Sequence, residues 1–274
     1  MAKLHVSDRA LQRLRKAALP IVGLVALAFF WYKASQQQVS TGVSLWIRLY
    51  YAAFFTVAME YIARYQHKYL WHSRWLWFLH ASHHHHSTKF GAGPSKSDSE
   101  SNAFLPPRLQ TFELNDVFPV IFSSLAMLAM FWAHTTAEII RDNNAADSTR
   151  MLVWVCDMVF GSAVGISAYG TSYFIGHDLV AHERGGSRLA EWCKQTFPWM
   201  KRFSEIHSVY HHKIDVHAAT DEDPYGPPYG FWLGPQEVAA FQNGKELGLP
   251  MWFQIQCALA TAFAGVSVFH AAVV

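Results

Sequence analysis

The chain has 274 residues, 51% of them hydrophobic, and a formal net charge of +2. Its mean hydropathy is only +0.07, so apolar blocks must alternate with charged and histidine-rich ones, as in a polytopic membrane protein with aqueous parts. So small a net charge gives no reason to expect a nucleic-acid partner. The three widely separated cysteines (Cys156, Cys193 and Cys257) supply neither a disulfide framework nor a thiolate metal site.

Residues 1–16 are rich in Lys and Arg, as expected of a flank on the positive side of a membrane or of a remnant targeting segment. Residues 17–32 form an uncharged apolar run just short of the usual span of about 20 residues. A second apolar stretch, 43–63, carries Arg48 near its start, where the side chain could snorkel to the interface. The segment 67–86 is dense in histidine. Residues 87–111, rich in Ser, Pro and Gly, read as a loop.

A third span is expected over 117–133, followed by a polar loop, 134–150. A fourth is expected over 151–175, where Gly161, Gly165, Gly170 and their small neighbours would let helices approach closely. Residues 176–249 return to an aqueous character and end in a Pro/Gly/aromatic stretch that reads as loop. The last 25 residues are apolar enough for a fifth span or a docked helix. The fold class is therefore all-α: one polytopic domain over 1–274 with about four transmembrane helices and a helical cap. Two spans separate the histidine-rich regions and return the chain to one membrane face. Arg64, Lys68, Arg74, Lys201 and Arg202 mark that face as the cytoplasmic or stromal one.

Sixteen histidines are the anomaly of the composition, and ten fall into four boxes. These read His67-x4-His72, His80-x2-His83-His84, His177-x4-His182 and His207-x3-His211-His212. Neutral imidazole suits Fe, Zn or Cu rather than Mg or Ca. Ten imidazoles exceed what one tetrahedral zinc needs, so two metals with about five ligands each is the economical count. Iron, used for O2 activation, is the natural metal and zinc the alternative.

On an α-helix His80, His83 and His84 fall within an arc of about 100°, so all three can face one cluster, and His207 and His211 stack one turn apart. The x4 pairs diverge by about 140° on an ideal helix; they would bridge two metals or bend inward at a helix end. One unbroken helix over 57–84 would turn His67 away from His80, His83 and His84, so a break is expected near His72–Arg74. His5, His85, His86, His134 and His270 lie outside the boxes, and His217 reads as loop or as support for a ligand.

Several polar residues are candidates to support the ligands. Glu60 lies near the membrane edge, where a carboxylate is a functional candidate by default and could accept an imidazole N–H. Asn115, Asp116 and Asp178 are similar candidates, with helix capping or interface solvation as the other explanation. Trp71, Trp75, Trp77 and Phe78 could line a hydrophobic tunnel or form an interfacial aromatic belt.

Five segments resemble the β-carotene 3-hydroxylases of the fatty acid hydroxylase/sterol desaturase superfamily. They are ARYQHKYLWHSRWLWFLHASHH (63–84), FELNDVF (112–118), YFIGHDLVAHER (173–184), HSVYHH (207–212) and PYGFWLGPQEV (228–238), within a match over about 45–240. The resemblance is to the plant and algal branch. It departs at HSVYHH, where the family's box is usually HxxHH, and at an acidic-Pro insertion over roughly 217–227. It implies O2-dependent hydroxylation of β-ionone rings at carbon 3, giving β-cryptoxanthin and zeaxanthin. Two non-haem iron ions, a carotenoid in the membrane, an external donor such as reduced ferredoxin and a plastid membrane are implied with it. Other readings are a di-iron oxygenase of sterols or fatty acyl chains, and a non-enzymatic membrane metal-binding protein.

Overall fold

The structure is a computed structural model that describes residues 42–85, 114–142, 147–182, 187–212 and 226–273. The basic flank, the run at 17–32, the loop 87–111 and His5, His86 and His217 lie outside the described residues. Every regular element among the described residues is a helix. In chain order these are α1 (Gly42–Gln66), π1 (His67–Trp71), α2 (Trp77–His85), a 3-10 turn (Leu114–Asp116), α3 (Val117–Asp142), α4 (Asp147–Tyr173), π2 (Phe174–Ala181), α5 (Ser187–Thr196), α6 (Pro198–Ile206), π3 (His207–His211), α7 (Gly234–Gln242) and α8 (Met251–Val273).

The described residues form two compact units, one drawing on residues within 62–120 and 172–247, the other on residues within 42–61, 121–171 and 248–273. The second is a bundle. Ala126, Met130, Ala133 and Ala137 of α3 pack on Cys156, Phe160 and Ala163 of α4. Ile47 and Tyr51 of α1 pack with Met158 of α4 and Ala260 of α8, and the Tyr51 hydroxyl donates to the Ala260 carbonyl at 2.9 Å. The small residues of α4 act as expected at two positions. A Cβ on Gly161 would lie 2.4 Å from the Arg48 carbonyl oxygen, and one on Gly165 2.4 Å from that of Ala52. Only glycine permits these backbones to touch. Gly170 meets nothing within 4 Å and has no such role.

Arg48 does not snorkel outward. Its Nε donates to Asp157 at 2.6 Å, with Arg141 3.7 Å from the same carboxylate oxygen. A fully buried Asp157 needs such a partner, because an unpaired charge there would cost several kcal/mol.

Three helical segments among the described residues are long and apolar enough to cross a membrane: Val117–Arg141, Met151–Ala181 and Met251–Phe269. On them Leu125, Leu128, Phe131, Ile255, Leu259, Val266 and Phe269 point outward, an apolar exterior suited to lipid and not to water. The chain is thus a multi-pass membrane protein. Its last helix has the length and composition of a span. Helix α1, with Arg48, Glu60 and Arg64, is not among the three.

The loop expected at 134–150 is mostly helix: α3 continues to Asp142 and α4 starts at Asp147. Ala137, Glu138, Ile139, Ile140 and Arg141 carry no helix breaker, and His134 pairs with Glu138 one turn on, at 3.4 Å. Likewise, the Pro/Gly/aromatic stretch is loop only to Leu233. Gly234 and Pro235 open α7, where proline's fixed φ suits a first turn.

Candidate metal centre

The histidine unit is organised by three π turns. In π1, π2 and π3 the amide of the second histidine of an x4 pair reaches back to the carbonyl of the first. His72 N–H donates to His67 O (3.2 Å), His182 N–H to His177 O (2.9 Å) and His212 N–H to His207 O (3.2 Å). An i→i+5 bond widens the turn until residues five apart lie over one another. The divergence expected on an ideal α-helix is thereby cancelled, and each pair serves one side of the site. The same count holds in HSVYHH: its extra residue makes His207 and His212 a third i, i+5 pair.

The expected break is present. After π1 the chain turns between Ser73 and Leu76, where the Leu76 N–H donates to the Ser73 carbonyl at 3.2 Å, and α2 starts afresh at Trp77. It brings His80, His83 and His84 back toward His67. These three do not face one cluster, however. His80 and His84, one α-turn apart, join His67, His72 and His211 in one group. His83 joins His182, His207 and His212 in another. His207 and His211 are likewise divided, because π3 turns His211 toward the first group and His207 toward the second. Within each group one potential ligand atom per residue lies within 4.8 Å of every other. His177, the tenth, packs against the second group, its ring centroid 4.7 Å from those of His83, His182 and His207.

The nitrogens converge more closely than hydrogen bonding explains. In the first group His67 Nε2 lies 3.0 Å from His80 Nε2, which lies 3.1 Å from His84 Nε2. Burial pushes the His80 value down to about 3, with neighbouring His72 adding to it. Burial also holds His67, His84 and His211 well below the usual histidine range, with their neighbouring imidazoles adding to it. All are therefore neutral near pH 7, each with one ring hydrogen. For His67 that hydrogen sits on Nδ1, 2.9 Å from the Tyr229 carbonyl, and for His80 on Nδ1, 2.8 Å from Asn115 Oδ1. Carbonyl oxygens only accept. Hence two bare Nε2 lone pairs face each other across 3.0 Å, which is repulsive unless a cation lies between them. His211 repeats the pattern, with Nδ1 3.0 Å from the Gly226 carbonyl and a buried Nε2 that has no hydrogen-bond partner among the described residues.

In the second group His207 Nε2 lies 2.9 Å from His212 Nε2 and 3.1 Å from His182 Nε2. Burial and neighbouring imidazoles hold His83, His207 and His212 well below the usual range as well. Metal–imidazole bonds of about 2.1 Å meeting at right angles would set adjacent nitrogens about 3.0 Å apart, so both donor sets fit a metal ion. The nitrogen-only donors suit iron, zinc or copper.

Aromatic rings back the second group. Tyr173 stacks on His177 with centroids 4.4 Å apart, and Phe203 on His207 at 5.3 Å. Phe231 fills the space between Tyr173, Trp199 and Phe203. Its ring lies directly on the Gly176 backbone, where a Cβ would come 2.1 Å from Phe231 Cζ. Trp71 lies against His67 and His80 and stacks on Phe118; Trp77 lies against His72 and His84. Trp75 and Phe78 are exposed instead.

Of the polar candidates, Asn115 holds His80, and Asp178 lies 3.6 Å from His177 Nδ1. Asp116 occupies the 3-10 turn Leu114–Asp116. Glu60 is buried in α1, among residues of the other unit. Glu237, Gly176 and Asp157 take part as well, outside the residues expected from the sequence. An acid inside an apolar span is itself a signal that would have singled out Asp157. Glu237 lay inside PYGFWLGPQEV, but what it touches depends on a loop fold that no local pattern encodes.

An all-helical, multi-pass membrane protein with two buried histidine clusters, each able to hold a metal ion, is the class these features define. No family model matches the chain, and no solved structure matches it. It is homologous to β-carotene hydroxylases. Over 193 residues it is 28% identical to "Beta-carotene hydroxylase 2, chloroplastic" of Capsicum annuum, covering 70% of this chain and 46% of that protein. It is 30% identical over 195 residues to "Beta-carotene 3-hydroxylase, chloroplastic" of Haematococcus lacustris, covering 69% and 44%. It is 29% identical over 171 residues to "Beta-carotene hydroxylase" of Pantoea ananas, covering 61% and 70%. The chain thus spans less than half the length of these plant and algal relatives. The paired histidine clusters are consistent with the fatty acid hydroxylase superfamily.

Proposed function

We propose that the chain is a di-iron monooxygenase that hydroxylates β-ionone rings of β-carotene at carbon 3, giving β-cryptoxanthin and zeaxanthin. The observation that carries the metal reading is the pair of bare Nε2 atoms of His67 and His80, 3.0 Å apart in a buried, neutral cluster. Homology to β-carotene hydroxylases supports the substrate. Breaking an unactivated ring C–H bond is beyond side-chain acid–base chemistry. Two iron ions would supply the redox chemistry with O2. His67, His72, His80, His84 and His211 would hold one; His83, His177, His182, His207 and His212 would hold the other.

The protein's own part is to keep His67, His80, His83, His84, His207, His211 and His212 neutral by burial and to aim Nε2 of His67, His80 and His211 inward. Trp71, Trp77, Tyr173 and Phe203 keep water from the rings they cover. Electrons would come from an external donor, with reduced ferredoxin as the proposed one. The compartment would be the plastid membrane, with the clusters on its stromal face, in keeping with the chloroplastic relatives.

The test is expression in β-carotene-accumulating bacteria with pigment profiling and metal analysis, wild type beside His83→Ala. The expected result is hydroxylated carotenoid and two irons per chain in wild type only. Folded, iron-loaded wild type that leaves β-carotene unchanged would turn the reading to a sterol or fatty acyl substrate. Equal hydroxylation in both chains would contradict the site.

A further inference from the structure

We propose that Glu237 is a positioning residue for one of the two metals, setting the tautomers of His67 and His211 through the backbone of the loop before α7. This rests on the metal reading above. Glu237 is buried, and both of its carboxylate oxygens are engaged. Oε1 accepts from Arg64 Nε at 2.6 Å. Oε2 accepts from the backbone N–H of Tyr229 at 2.8 Å and of Gly230 at 3.0 Å.

The Tyr229–Gly230 peptide, whose N–H donates to Glu237, is the one whose carbonyl receives the His67 Nδ1 hydrogen, at 2.9 Å. Three residues earlier, the Gly226 carbonyl receives that of His211, at 3.0 Å. The Tyr229 ring itself stands edge-on to His67, His72 and His211. One carboxylate therefore joins the end of α1, three residues before the first histidine, to the strap of backbone that holds two ligands of the same cluster.

The chemistry explains why a carboxylate is used. An Arg guanidinium and two amides all donate, and only an ionised Asp or Glu accepts from all three without presenting a hydrogen. Glutamine offers one oxygen and an NH2 group, so either the guanidinium or the strap would meet a donor. With the strap released, the Tyr229 and Gly226 carbonyls no longer dictate Nδ1–H. His67 and His211 can then place their hydrogens on Nε2, where they would compete with the metal. Groups that orient metal-ligating histidines typically contribute 10–100-fold to metal affinity. Glu237 acts one bond further away, so about tenfold is expected. The strap carbonyls of this relay hold His67 and His211, and both lie in the five-histidine cluster. The loss should therefore fall on one metal of the two.

The experiment is stepwise cobalt(II) titration of the purified full chain in detergent, followed by its visible absorption and by competition with a chelator. Thermal melting of the metal-free protein is measured in parallel. Two variants are used. Glu237→Gln removes the charge alone. Arg64→Met/Glu237→Met replaces the buried pair with apolar groups, a change folds commonly tolerate, and leaves the strap amides without an acceptor. The expected result is that one cobalt equivalent weakens about tenfold while the other stays as in wild type.

Equal weakening of both equivalents, or of neither, in a variant that melts like wild type would overturn the proposal. So would a drop in melting with loss of both equivalents in both variants, since Glu237 would then support the whole unit rather than one site. Wild type that binds no cobalt would instead refute the metal reading.

Discussion

The two histidine clusters are built from the same residue type but held by different means. In the first, carbonyl groups do the holding: Tyr229, Gly226 and Asn115 each receive an Nδ1 hydrogen and leave Nε2 bare. In the second, aromatic faces do it, with Tyr173 on His177 and Phe203 on His207. There the buried Nδ1 atoms of His207 and His212 have no hydrogen-bond partner among the described residues. The first cluster is thus fixed by direction in addition to the rings of Trp71 and Trp77, and the second chiefly by shape. A hydrogen bond selects a tautomer, whereas a stacked ring restricts orientation and leaves the tautomer open.

Removing ligands from each side has the largest effect expected. On the proposed function, His211→Ala and His83→Ala should each lower bound metal from two ions to one and reduce the proposed carotenoid hydroxylation by at least about 100-fold. Metal analysis that finds two ions in either variant would break the division into clusters.

Acid comes next, because many histidines act together. Each has a folded value depressed below its unfolded value near 6.5. Their contribution to the stability of the metal-free protein is therefore complete above about pH 6.5 and is lost as pH falls toward their folded values, about 3 for His80. Each such histidine adds a slope of about 1.4 kcal/mol per pH unit in that window. Urea midpoints taken between pH 7 and pH 5 should fall steeply; a flat profile would mean that the rings are not buried neutral.

Shape is tested by Gly176→Ala. The new methyl would displace the Phe231 ring, at a cost of about 1–3 kcal/mol, and should weaken metal binding through the second cluster first. Direction is tested by Asn115→Leu, which removes the acceptor for His80. Metal affinity through the first cluster should drop by roughly 10–100-fold, read by chelator competition, with the second unaffected. Smallest of all is Lys68→Met. Lys68 follows His67 directly, yet it points to exposed Glu246 at 2.6 Å, and such a pair contributes at most about 1 kcal/mol. Metal binding that changes with Lys68 would show that the clusters answer to surface charge.

How much of this was legible in the sequence depended on whether a local rule applied. The ten histidines, the break after His72 and the close packing at Gly161 and Gly165 follow from composition and spacing. The assignment of histidines to metals does not, because it was read on a helix of 3.6 residues per turn. That period predicts that His80, His83 and His84 act together, which the structure reverses, and that an x4 pair bridges two metals or bends inward at a helix end, of which the structure takes the second. A π turn leaves no compositional mark, so nothing in HKYLWH distinguishes it from an α turn. Asn115 was legible as a polar residue in an unexpected place. Glu237 was not, since its partners Arg64 and Tyr229 meet only when the loop before α7 is folded.

The three π turns also set a rule for insertion and deletion. Each i, i+5 pair is a caliper whose jaws are set by the number of residues between them and hardly by their identity. Exchanging Val209 for another apolar residue leaves the caliper open to the same width. Deleting it closes π3 to an ordinary turn and swings His212 about 100° around the axis, away from His182 and His207. In this chain the reach of each pair is therefore set by length more than by lettering.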